Sequence, residues 1–89
     1  QPTFVDARLF LATIYESQGK TLAASGELLR AYRTDPSSVE NARALLELAV
    51  RRPECRGRAL VALPLIARRL GARPRDARLA ALVAATRPR

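Results

Sequence analysis

Three groups of residues in the 89-residue sequence are of types that do chemistry. Gly19-Lys20-Thr21 matches the end of a phosphate-binding loop, in which backbone N–H groups and a lysine hold phosphates. The earlier glycine of G-x-x-x-x-G-K-[ST] is missing and no strand pattern precedes it. The tripeptide reads instead as a helix stop followed by a helix cap. Cys55 lies in the basic stretch Arg51–Arg58, and neighbouring positive charge favours the reactive thiolate. No base stands near it, so an incidental cysteine is expected. Glu40 and Glu47 lie two turns apart on one helical face. Glycosidase-like acid–base work needs carboxylates facing across a cleft, and one helix does not offer that.

What is missing narrows the chemistry further. The chain has no histidine and a single cysteine. Imidazole-based charge relay is excluded, as is an internal disulfide. A structural zinc set is not expected. We therefore expect no enzyme activity, no catalytic residue, no cofactor and no metal.

Arginine is the remaining chemical signal. Residues 1–50 carry five basic and six acidic side chains, a net of −1. Residues 51–89 carry eleven arginines against Glu54 and Asp76, a net of +9. Arg68, Arg69, Arg73, Arg75 and Arg78 form a candidate anion-binding set, because guanidinium forks hold phosphate or carboxylate bidentately. Single-strand readers add aromatic platforms. Here Phe4, Phe10, Tyr15 and Tyr32 all lie in the other half and most read as core. The plainer reading is a GC-rich coding sequence that writes exposed positions as arginine. Lys20, the only lysine, favours it, and such usage points to a bacterial origin.

The elements that position these residues are helical. Phe4, Ala7, Leu11, Ile14 and Tyr15 recur at helical spacing, as do Val39, Ala42, Leu45, Leu46, Ala49 and Val50, and Ala59, Leu63, Ile66, Ala67 and Leu70. No apolar–polar alternation predicts a strand. Gly19 ends a first helix, and Thr21 caps a second that runs to about Arg33. Ser37 and Glu40 form a Ser-x-x-Glu capping box for a third, reaching about Arg51. Pro53 and Gly57 mark a longer loop. A fourth helix ends near Leu70, before Gly71. Pro64 conflicts with a long helix there, so a late start near Leu60 or a mild kink is expected. Pro74 suits the first turn of a fifth helix, ending before Pro88.

Leu11-Ala12, Tyr15, Gly19, Ala24, Leu28, Ala31 and Pro36 fall at a spacing that resembles the tetratricopeptide repeat, whose period is 34 residues. Residues 5–38 form the first repeat, with Arg8 where the family usually has tryptophan. Residues 39–73 form a degenerate second repeat: Ala42, Leu45, Leu46 and Ala49 match, but about four residues are inserted around Pro53–Gly57 and Arg69 replaces a small residue. Residues 74–87 then read as a capping helix. The resemblance implies a single all-α domain over 1–89. Its form is a helical-hairpin solenoid of about five antiparallel helices, as a fragment of a longer array or as a homo-oligomer.

The resemblance also implies a concave groove lined by the first helix of each repeat. By position that face comprises Asp6, Leu9, Thr13, Glu16 and Ser17, then Glu40, Arg43, Glu47, Val50 and Arg51. Members that clamp a C-terminal carboxylate use lysine and asparagine there. Leu9 and Thr13 stand at such positions, so that clamp is absent. The expected function is a protein-interaction scaffold or adaptor that binds a partner protein or peptide segment. The alternative is a domain that binds nucleic acid or another polyanion through its C-terminal half. No apolar run approaches the ~18 residues of a membrane span, and no signal peptide is visible. The chain begins at Gln1, which reads as an excerpt or a processed product, so compartment stays open, with a cytoplasmic location as the default.

Overall fold

A computed structural model describes residues 4–88. They form five α-helices: α1 (Phe4–Ser17), α2 (Thr21–Thr34), α3 (Val39–Arg51), α4 (Arg56–Leu70) and α5 (Ala77–Thr86). A short 3-10 turn, Pro53–Cys55, connects α3 to α4. No strand occurs among the described residues.

Local chemistry sets most of the boundaries. Gly19 (φ 76°) and Gly71 (φ 93°) end α1 and α4 in the left-handed region that side chains resist. Ser38, not Ser37, caps α3: its Oγ accepts from the Asn41 backbone N–H at 3.1 Å. The capping box is thus displaced by one residue, and Glu40 becomes the second residue of the helix rather than a reciprocal cap. Thr21 does not cap α2 either. Lys20 holds the cap position without a side-chain bond, and the Thr21 hydroxyl donates to Glu54 across the structure at 3.3 Å.

The second half departs further from expectation. The predicted loop around Gly57 is helix, because α4 begins at Arg56 directly after the 3-10 turn. A late start near Leu60 is overturned. Pro64 lies inside α4 but on its exposed side. The helix therefore runs through Pro64, whose ring has room on the solvent side, although it leaves the Leu60 carbonyl without its helical donor. Pro74 precedes α5 instead of opening it. Asp76 is the cap, with its Oδ1 accepting from the Leu79 N–H at 2.8 Å.

Packing centres on α3, which meets α2, α4 and α5. Leu45, Leu46 and Leu48 are completely buried with Tyr32, Ile66 and Leu79. Small residues permit close approach: Ala24, Ala31, Ala42 and Ala59 have no exposed surface. Asn41, also buried, donates from Nδ2 to the Ala31 carbonyl at 3.4 Å and ties α3 to α2. The backbone of α1 comes close to that of α2 alone. Arg8, where the repeat pattern calls for tryptophan, reaches the nearly buried Glu27 of α2 at 3.2 Å, and Glu27 also pairs with Arg30 at 2.8 Å. The radius of gyration is 12.1 Å, the size of an ordinary globular domain of this length.

Candidate binding groove

α1 and α3 both rest on α2, yet no Cα of α1 comes within 8 Å of one in α3. A groove runs between them. On α1 it presents Leu9, Ala12, Thr13 and Glu16, and on α3 Glu40, Ala44, Glu47 and Arg51. These spacings, i, i+3, i+4, i+7 and i, i+4, i+7, i+11, each make one stripe of a helix. Leu28 of α2 completes the lining, and the recess encloses about 360 Å³. Two recesses adjoin it, one bounded by Val39, Arg43 and Ala44, the other by Val5, Asp6, Asp35 and Asn41. Glu40 borders all three.

The charges divide into paired and unpaired. Arg51 donates from both terminal nitrogens to Glu16, at 3.1 and 3.2 Å, and so joins the two walls. Glu47 lies 3.8 Å from Arg43 and 3.6 Å from Arg78. Glu40 is exposed, and its carboxylate has no partner among the described residues. The Thr13 hydroxyl is occupied by its own helix, donating to the Leu9 carbonyl at 3.1 Å.

Of the ten residues expected on a concave face, Leu9, Thr13, Glu16, Glu40, Glu47 and Arg51 meet in the recess between α1 and α3. Arg43 and Asp6 border the adjoining ones. Ser17 and Val50 line none of the three. The Ser17 hydroxyl donates to the Ile14 carbonyl at 2.7 Å, and Val50 stands 51% exposed to one side. The apolar lining, Ala12, Ala44 and Leu28, was not among the expected residues. Ala44 was accessible from its i+4 spacing to Glu40. Leu28 lies on another helix, and only the packing brings it there.

The arginine set does not converge on a recess. Arg68, Arg69, Arg73 and Arg75 are exposed along the end of α4 and the following turn, whereas Arg78 is drawn to Glu47 at the groove. The aromatics are less buried than expected: Tyr32 is core, but Phe10 is 68% exposed, and the Phe4 side chain lies outside the described residues. Cys55 is fully buried, with its Sγ donating to the Thr21 carbonyl at 3.4 Å. It is a packing residue, shielded from reagents. No three His, Cys, Asp or Glu side chains cluster as a metal site among the described residues. Among the described residues no helix is long and apolar enough to cross a membrane. The chain matches no protein-family model, no curated protein and no solved structure.

Proposed function

We propose that this chain is a non-catalytic interaction module, a short helical-hairpin solenoid of the tetratricopeptide type that holds a segment of a partner protein between α1 and α3. The separation of those two helices carries the reading. It leaves Leu9, Ala12, Leu28 and Ala44 lining an open recess between charged rims. Such a surface suits an extended or helical segment, whose apolar side chains enter the recess while the rims set register. A second reading, binding of a polyanion, is favoured by Arg68, Arg69, Arg73 and Arg75, which are exposed and have no acidic partner among the described residues.

One experiment separates the two. The protein is used as bait at low and high salt, beside Ala44→Arg, which fills the recess, and Arg73→Glu/Arg75→Glu, which reverses the basic turn. A partner protein that resists salt, is lost with Ala44→Arg and is kept by the double variant is the expected result. Nucleic acid that washes off with salt and is lost with Arg73→Glu/Arg75→Glu would replace the groove reading with the second.

A further inference from the structure

The occupant's chemistry follows from where the carboxylates are. The chain is strongly basic, +8 overall, with eight Asp and Glu against sixteen Lys and Arg. Yet five of those eight carboxylates, Asp6, Glu16, Asp35, Glu40 and Glu47, border the groove and its two adjoining recesses. Arg43 and Arg51 are the only basic residues among the described ones that line them. Arg51 answers Glu16, and Arg43 and Arg78 answer Glu47. Asp35 and Glu40 have no cationic partner among the described residues, and of the two only Glu40 borders all three recesses.

We propose that the groove selects a basic segment: a stretch of a partner protein in which lysine or arginine stands among aliphatic residues, with one cation seated at Glu40. This rests on the groove being a binding surface at all. Glu40 lies in the first turn of α3 and is exposed at the mouth of the recess. Leu9 of α1 and Ala44 of α3 supply apolar surface to the same recess. Lysine and arginine match that pairing of surfaces, because their methylene stems cover apolar ground while the charged head reaches past it. An acidic segment would meet the surplus negative charge. A second copy of this chain would bring its own +8 against another +8, which opposes association.

The test is selection from a random dodecapeptide display library on the intact protein, on Glu40→Gln and on Glu40→Lys. Folding of both variants is checked by circular dichroism, and Glu40→Gln keeps the test decisive should the reversal unfold the chain. Peptides selected by the wild type are expected to carry lysine or arginine beside leucine, isoleucine or valine. They should bind Glu40→Gln about fivefold more weakly, the upper end for one exposed ion pair, and Glu40→Lys should select acidic peptides instead. Acidic or uncharged peptides on the wild type, or an unchanged basic preference on Glu40→Lys, would overturn the proposal. Backbone amide shifts tell the two levels apart. Peptides that perturb Leu9, Thr13 and Ala44 without charge preference sink the basic-segment proposal and leave the groove. Perturbation at Arg73 and Arg75 instead, or selection of no peptide, sinks the groove as well. Sedimentation equilibrium of the protein alone should show a monomer. A salt-sensitive dimer abolished by Glu40→Lys would make a second copy the occupant and overturn the proposal.

Discussion

Tyr32 shows how a single residue's burial becomes a measurable property. Its ring is fully buried, and its hydroxyl has no hydrogen-bond partner among the described residues. Burial pushes the phenol above its ordinary pKa of 10.0, and the Arg69 charge pulls it part of the way back. The folded state therefore holds the proton more tightly than the unfolded chain. The stability this contributes is complete below pH 10 and is lost as pH rises through the folded value. Tyr32→Phe should leave stability at pH 7 unchanged or raise it by up to about 1 kcal/mol, since no bond is lost and an unsatisfied group is removed. It should also flatten the decline expected in denaturant midpoints above pH 10. A loss of more than about 1 kcal/mol at pH 7 would mean that the hydroxyl has a partner after all. Tyr32 was readable from sequence as a core aromatic. Its orphaned hydroxyl was not, because that depends on what the other helices place around it.

At the scale of the helix, caps and glycines decide where elements begin and end. Ser37 and Ser38 are adjacent, and the Ser-x-x-Glu pattern selects Ser37. The structure uses Ser38, whose Oγ reaches Asn41, while Asn41 is buried against the Ala31 carbonyl. Packing of Asn41 thus sets the register of the cap. Ser38→Ala should cost about 1 kcal/mol, and Ser37→Ala, which removes no such bond, should stay within about 0.5 kcal/mol. Equal losses in urea titrations would refute this assignment. Glycine makes a parallel contrast. At Gly26, inside α2, an added Cβ would lie 3.7 Å or more from the Arg58 guanidinium, an ordinary contact. Gly26→Ala should therefore stabilise by about 0.5–1 kcal/mol through helix propensity. Gly71→Ala, at φ 93°, should destabilise by about 1 kcal/mol or more because alanine resists that conformation. Opposite signs in thermal melts are the expected result. The same sign for both would contradict the conformational argument.

For the whole molecule, Cys55 reports on global integrity. Its thiol is buried where the turn before α4 meets the start of α2. An aromatic disulfide reagent should react with it only as fast as the structure opens, and the rate should rise with urea as stability falls. Prompt reaction in native buffer would show that this corner opens locally. The basic stretch around Cys55 drew attention to reactivity, but the turn Pro53–Cys55 points the side chain inward. The groove has the same character. Leu9, Thr13 and Glu16 on α1 and Glu40, Glu47 and Arg51 on α3 were expected there from the repeat resemblance, whereas Ala12 and Ala44 were not. The apolar lining from Leu28, the diversion of Arg78 to Glu47 and the isolation of Glu40 each join residues far apart in the chain.

The sequence by itself determined that this protein is helical, that its described residues form five helices, and that the first and fourth stop at Gly19 and Gly71. Those features arise from spacing at 3.6 residues per turn and from backbone preferences, which act within a few residues. Tertiary structure alone decided that the backbone of α1 rests on α2 while its Glu16 reaches Arg51 of α3, that α4 runs through Pro64 from Arg56, that Cys55 turns inward, and that Glu40 stays unpaired while Glu16 and Glu47 find partners. Each of these depends on which surfaces meet, and a chain's local pattern does not contain the distances between helices.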